Sequence, residues 1–291
     1  MADYPDSEPA ATSLRLTSVF VGETLGTYIL VLFGIGSVAA AVLTDAQVGL
    51  WQVASVWAVG VALAIYVTAD ISGAHLNPAI TLAFALVRRR EFPLRLLPVY
   101  WASQLLGAAL AGVTVLAIYG PWLRRFEDAE GLVRGEAGSQ HSAMVFGEYF
   151  PNPDMFAAGE ASASLISPMG AAFVEGFGTA MLALVIFSLT DRRYARISRL
   201  NLTPLLIGLT VAALISLFAP LTQAGWNPAR DFGPRIVAFF AGWGDIAIPG
   251  PSNGFWVYIV GPLIGAPIGG AIHGLLVRAG LVVSRGTGPG I

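Results

Sequence analysis

The sequence predicts an all-α membrane protein, with six transmembrane helices plus two re-entrant half-helices in an inverted repeat. Three observations lead there. The 291 residues are 55% hydrophobic and only 12% charged, where a soluble domain carries about 25% charged residues. Six segments are apolar over the roughly 20 residues that a helix needs to cross the hydrocarbon core. Short motifs recur at near-equal offsets in the two halves of the chain.

The elements follow in chain order. Residues 1–14 are polar and acidic and lack the basic-then-apolar layout of a signal peptide. They read as a disordered cytoplasmic tail. The first repeat, 15–120, holds spans at about 17–43, 50–70 and 95–119, with NPAITLAFALV at 77–87 before the third. A long loop, 121–167, follows. The second repeat, 168–280, holds spans at about 168–190, 202–220 and 253–279, with NPARDFGPRIVAFFA at 227–241. The two short apolar stretches would reach only about 16–22 Å as helices. Each therefore reads as a half-helix. Residues 281–291 form a second cytoplasmic tail.

Arginine placement orients the chain. Arg88, Arg89, Arg90, Arg95, Arg192, Arg193, Arg196, Arg199, Arg278 and Arg285 share one side if six helices alternate. The 121–167 loop instead holds Glu127, Asp128, Glu130, Glu136, Glu148, Asp154 and Glu160. The positive-inside rule puts both termini in the cytoplasm and the acidic loop outside. The expected location is the cell inner (plasma) membrane, crossed several times.

Composition excludes several classes. The net charge of −2 gives no reason for a nucleic-acid partner. There is no cysteine, hence no disulfide framework or thiolate metal site. Three scattered histidines, His75, His141 and His273, make no metal site. All basic residues are arginine, and no GxxxxGK[ST] phosphate loop occurs. Neither an enzyme, a cofactor nor ATP-driven transport is expected.

The repeat is specific. ETLGT at 23–27 matches EGFGT at 175–179, an offset of 152. Asn77-Pro78-Ala79 matches Asn227-Pro228-Ala229, an offset of 150. QLLGA at 104–108 resembles PLIGA at 262–266, an offset of 158. Each copy has three spans, an odd number, so the second copy starts on the opposite side of the membrane. The half-helices then enter from opposite faces and meet near the middle.

Asn-Pro-Ala suits such a meeting. Asparagine caps a helix through its side-chain oxygen. Proline fits the first helical position, where its missing N–H costs nothing. Alanine lets two helix ends approach closely. With the oxygen used as a cap, each amide NH2 is left to donate to a passing solute. Two helix N-termini aimed at one point repel cations. The irregular stretches before them, DISGAH and PLTQAGW, carry carbonyls that a membrane tolerates only inside protein or beside water. Donors beside a line of acceptors describe a pore for neutral, hydrogen-bonding solutes. Gly107, Ala108, Gly265 and Ala266 read as helix-packing positions.

SGAHLNPAIT and NPARDFGPR in an inverted six-span repeat resemble the major intrinsic protein family of aquaporins and glycerol facilitators, over about residues 18–280. The resemblance implies a right-handed six-helix bundle with one pore per protomer, assembled as a homotetramer in the lipid bilayer. It places Trp57, Ile215, Ala224 and Arg230 at the four selectivity-filter positions. It places Gly73, Ala74, His75, Gln223 and Gly225 on the pore loops, and Glu23 and Glu175 as carboxylates that brace those loops. Asp231 is read as bracing its half-helix and a nearby loop.

Asp231 after Arg230, the DFGPR continuation and EYFPNP in the long loop resemble the glycerol-facilitator (aquaglyceroporin) branch. Tyr258-Ile259 departs from that branch, which places proline first in this pair. The set Trp, Ile, Ala, Arg resembles the nodulin-like channels of plants. The implied function is passive diffusion of glycerol, similar small neutral solutes and some water, with ions and protons excluded. Two other readings stay open. One is a water-dominant channel, which Tyr258-Ile259 favours. The other is an ion-coupled secondary transporter, which would need Glu23 and Glu175 in the lumen. His75 as a pH sensor is a minor reading beside a structural one.

Overall fold

The computed structural model describes residues 8–156, 164–191 and 201–281, with side chains from residue 16 onward. The tails at 1–7 and 282–291, and Glu160, Arg192, Arg193, Arg196, Arg199 and Arg285, lie outside the described residues.

The chain folds as helices α1 (Glu8–Thr44), α2 (Leu50–Ser72), α3 (Pro78–Val87), α4 (Leu97–Glu130), the short α5 (Gln140–Ala143), α6 (Pro168–Leu189), α7 (Thr203–Thr222), α8 (Pro228–Ala238) and α9 (Val257–Arg278). Six of these are long and apolar enough to cross a membrane. The expected half-helices are α3 and α8. Each opens on its asparagine, whose side chain accepts the N–H groups of the two residues after the proline.

Three boundaries differ from the sequence reading. Helix α1 begins at Glu8, inside the stretch expected as a tail. Helix α4 runs on to Glu130 despite Pro121, so the connection to α6 is shorter than 121–167. Its last turns are polar but still helix-forming, and Gly131 ends them in the left-handed conformation. Helix α8 stops at Ala238 and continues as a wide turn, Phe239–Trp243, rather than to 241.

The packing is two-fold symmetric. Helix α1 packs on α2 and α4, as α6 packs on α7 and α9. Helices α2 and α7 pack on each other across the centre. Each half-helix crosses over: α3 packs on α9, and α8 packs on α4. Apolar side chains left exposed on the outer faces include Phe173, Leu217 and Phe240.

Small residues set the closest contacts. A Cβ on Gly107 would lie 2.3 Å from the Thr24 carbonyl oxygen, and one on Gly265 would lie 2.0 Å from that of Gly176. These two pairs occupy matching places in QLLGA–ETLGT and PLIGA–EGFGT. Backbones here touch without side chains between them, as tight packing in lipid favours. Gly265→Ala should therefore force α9 off α6 and cost about 1–3 kcal/mol. Its thermal midpoint in detergent should drop clearly, while Gly274→Ala, whose nearest neighbour lies 4.0 Å away, should unfold like wild type.

Candidate functional site

Helices α2 and α7 each turn one face inward. Leu50, Val53, Trp57, Val61, Ile65 and Ala69 recur at helical spacing along α2 and line a single cavity of about 730 Å³. Thr203, Ile207, Val211, Ile215 and Ala219 do the same along α7. The cavity follows α2 from end to end, about 35 Å at the rise of a helix. One mouth carries Asp45, Gln47, Asn152 and Asp154; the other carries Thr190, Asp191 and Asn201.

The polar elements of the cavity come from the loops before α3 and α8. Residues 73–77 and 223–227 all line it. These loops are turned by left-handed residues at matching places: Gly73, Ala74 and Leu76 in one, Gln223, Ala224 and Trp226 in the other. Such φ values are costly for side chains other than glycine, so something must hold them. Glu23 Oε1 accepts from Ser72 Oγ at 2.7 Å and His75 N at 3.0 Å, and its Oε2 accepts from Leu76 N at 2.7 Å and Gln104 Nε2 at 2.8 Å. Glu175 accepts from Thr222 Oγ1 at 2.6 Å, Gly225 N at 3.1 Å and Trp226 N at 2.7 Å. Both carboxylates are fully buried, and neither lines the cavity. With the N–H groups bound behind the loop, the carbonyls of Gly73, Ala74, His75, Gln223, Ala224 and Gly225 accept no hydrogen bond among the described residues.

Tyr100 donates its hydroxyl to the Ser72 carbonyl at 2.5 Å, and Tyr258 donates to the Thr222 carbonyl at 3.1 Å. Tyr258 is thus a buried loop brace with a counterpart in the first repeat. Neither Tyr258 nor Ile259 lines the cavity.

The half-helices meet at their N-termini. Asn77 Nδ2 donates to the Trp226 carbonyl at 2.9 Å, and Asn227 Nδ2 donates to the Leu76 carbonyl at 2.8 Å. This corrects the expectation that both hydrogens of each amide are free: one is spent across the seam. Both asparagines line the cavity, but Pro78, Pro228 and Ala229 line a separate small apolar pocket with Trp101 and Phe232, and Ala79 is buried beside neither.

Trp57, Ile215, Ala224 and Arg230 are buried and line the cavity together. The Arg230 guanidinium lies 4.5 Å from the Trp57 ring centroid, a cation–π distance. The indole has room because Gly34 lies behind it: a Cβ there would sit 2.1 Å from Trp57 Cη2.

Two residues that sequence reasoning missed complete the region. Glu148, from the long loop, pairs through Oε1 with Arg230 Nη2 and also lines the cavity. Burial pushes its carboxyl up to about 8, with the Arg230 charge opposing only part of that rise. Arg235 is fully buried in α8 and donates to Asp231 Oδ2 at 2.9 Å, to Asp231 Oδ1 at 2.7 Å, to the Ala247 carbonyl at 2.9 Å and to the Glu148 carbonyl. Asp231 Oδ1 also accepts the Glu148 N–H at 2.7 Å. Asp231 thus ties α8 to the loop through Arg235 and the Glu148 N–H. The i, i+4 spacing of Asp231 and Arg235 was a signal for that pair. Nothing in the sequence pointed from Glu148 to Arg230.

The histidines take quiet places. The His75 ring stacks on Phe84 at 4.6 Å and sits 4.9 Å from both Phe92 and Tyr100. This favours the structural reading. His141 Nε2 lies 3.7 Å from Asp154 and His273 Nε2 lies 3.4 Å from Asp191.

The Glu175 brace is testable. Glu175→Ala leaves three buried donors without an acceptor, at about 1–3 kcal/mol each. Its thermal midpoint should fall by at least about 5 °C, and Glu175→Gln, which keeps an acceptor oxygen, should fall less. An unchanged midpoint in the alanine variant would mean the loop is held by other groups.

Comparison with known proteins fits this geometry. The model of the family "Major intrinsic protein" matches residues 10–273. The glycerol uptake facilitator protein of Pseudomonas aeruginosa is 40% identical over 271 residues, covering 92% of this chain and 91% of that protein. The propanediol uptake facilitator of Citrobacter freundii is 40% identical over 263 residues, covering 90% of this chain and 92% of that protein. The X-ray structure of the aquaglyceroporin from Plasmodium falciparum superposes with a TM-score of 0.76 at 27% identity, covering 92% of this chain and 98% of that one. With the re-entrant loops, the abutting asparagine caps and a family match over most of its length, the chain belongs to the major intrinsic protein family.

Proposed function

We propose that this protein is a passive channel for glycerol and similar small neutral solutes, with some water, and that it excludes ions and protons. The observation that carries the reading is the single cavity along α2 and α7, lined by Trp57, Ile215, Ala224 and Arg230 and by two symmetric loops with unbonded carbonyls. A polyol needs donors and acceptors on one edge and an apolar wall on the other. Arg230, the asparagine amides and the loop carbonyls offer the first; Trp57 and Ile215 offer the second. The positive ends of α3 and α8 and the Arg230 charge oppose cations. The family to which the chain belongs consists of channels, and the protein is a channel rather than an enzyme.

The names of its relatives, which speak of glycerol and propanediol uptake, support the same solute class. The water-dominant reading rested on Tyr258-Ile259, and neither residue lines the cavity. The ion-coupled reading needed Glu23 and Glu175 in the lumen, and both bind loop N–H groups behind it. The nodulin-like filter composition, the homotetramer and the cytoplasmic placement of both termini belong to this proposal. The arginine distribution and the resemblance to the family support them.

Stopped-flow light scattering on proteoliposomes tests the proposal directly. Glycerol should equilibrate well above protein-free liposomes, with no dependence on Na⁺ or H⁺ gradients; accumulation against a gradient would refute a passive channel. Ile215→His should raise the water-to-glycerol ratio by narrowing the filter and adding a donor. Gly34→Ala should push Trp57 into the lumen and slow glycerol more than water, although Gly34 lines no part of the cavity.

A further inference from the structure

Each bracing carboxylate is followed by a glycine in the same motif: Gly26 after Glu23 in ETLGT, and Gly178 after Glu175 in EGFGT. At i, i+3 spacing, each glycine shares a helix face with its carboxylate, on α1 and on α6. The two glycines meet matching residues. A Cβ on Gly26 would lie 2.5 Å from Leu76 Cδ2. A Cβ on Gly178 would overlap Trp226 Nε1 and lie 2.6 Å from Trp226 Cε2. Leu76 and Trp226 are the residues directly before Asn77 and Asn227. Each glycine is thus a notch, and the residue before the asparagine fills it.

The second notch holds a residue whose backbone is fully engaged. The Trp226 N–H donates to Glu175 Oε2 at 2.7 Å, and its carbonyl accepts from Asn77 Nδ2 at 2.9 Å. Its φ is left-handed, a conformation that needs support in a residue with a side chain. Its indole is buried, and Nε1 has no hydrogen-bond partner among the described residues. Contact alone holds the ring, against Gly178 and edge-on to Phe218 at 6.4 Å between centroids.

We propose that Gly178 is a positioning residue for permeation: it seats the Trp226 indole, and the seat sets the carbonyl that fixes Asn77 on the cavity wall. Gly178 itself lines no part of the cavity. A methyl group added there meets a rigid ring in a close-packed interior, and the ring has to move. The displacement reaches the Trp226 carbonyl through the backbone of the same residue. Asn77 Nδ2 then loses its acceptor across the seam, and its amide turns into the passage. Glycerol is wider than water and so is slowed more.

This inference rests on the channel reading above and adds a residue outside the lumen to the groups that set solute preference. The test reads the ratio of glycerol to water permeability by stopped-flow light scattering on proteoliposomes of the full chain, with protein-free rates subtracted. Loss of folded channels lowers both fluxes alike and leaves this ratio fixed. Gly178→Ala should lower the ratio by about threefold or more, within the range of couplings between residues in contact. Added to Trp226→Leu, which gives the second notch the residue of the first, the same methyl group should leave that variant's ratio within about twofold. An unchanged ratio in Gly178→Ala overturns the proposal. An equal drop in both backgrounds also overturns it, because the methyl group would then act by a route other than Trp226. If Gly178→Ala yields no folded protein, Trp226→Phe reads the seat from the other side. Its smaller ring leaves the notch part empty, and the ratio should again fall by about threefold; a wild-type ratio would sink the idea. If neither glycerol nor water exceeds the protein-free rate in wild type, the channel reading fails, and the positioning role fails with it.

Discussion

Two helix N-termini face each other inside this protein, and most of the remaining structure follows from holding them there. Each end carries a partial positive charge and unpaired N–H groups. Asn77 and Asn227 satisfy those groups within their own helices and then reach across the seam to the opposite backbone. Those carbonyls are reachable only because Leu76 and Trp226 adopt left-handed conformations. The turn in turn throws the preceding N–H groups outward, away from any backbone acceptor. Glu23 and Glu175 are the acceptors, and the cluster of donors around each is what makes a buried carboxylate acceptable. The loops, their bracing carboxylates and the asparagine caps therefore form one unit, built twice.

Symmetry explains the frame, and departures from symmetry explain where the fixed charge sits. Ser72 corresponds to Thr222, His75 to Gly225, and Tyr100 to Tyr258, each pair making the same bond to its loop or carboxylate. At the residue after Asn-Pro-Ala the halves part: Ile80 in the first, Arg230 in the second. Thr81 stands where Asp231 stands. The second half also receives the long connection from α4, which brings Glu148 against Arg230 and lets Arg235 clamp Asp231 to that segment. Arg134 adds a second tie, with a bond to the Ala241 carbonyl at 3.1 Å and its guanidinium 4.0 Å from the Trp243 ring centroid. One end of the passage is thus rich in fixed charge. On the other side of the seam His75 packs among Phe84, Phe92 and Tyr100.

The two buried ion pairs around Arg230 and Asp231 differ in how far their atoms are satisfied. An ion pair taken out of water is stable only where further hydrogen bonds satisfy its remaining atoms. Arg235 and Asp231 meet that rule in full, with bonds to Ala247, to Glu148 and to each other. Arg230 and Glu148 do not, although they are the pair that lines the passage.

Much of this was legible in the sequence because it is local or periodic. Apolar length marks the six spans, Asn-Pro marks where α3 and α8 start, and repeated motifs announce two copies of one unit. The positions of Trp57, Ile215, Ala224 and Arg230 came from likeness to a family, and the fold brings all four to one cavity. Only the tertiary structure decided the rest. Glu148 and Arg230 meet across a loop whose path no periodicity encodes, and Tyr258 reads as a departure until its hydroxyl is seen on the Thr222 carbonyl. The end of α4 at Glu130 escaped because its last turns are polar, and polarity alone does not separate a loop from a helix that has left the membrane. Hydrophobic pattern, caps and spacing are properties of neighbours along the chain. The pairing of charges and the use of each asparagine hydrogen depend on which distant backbone arrives beside them.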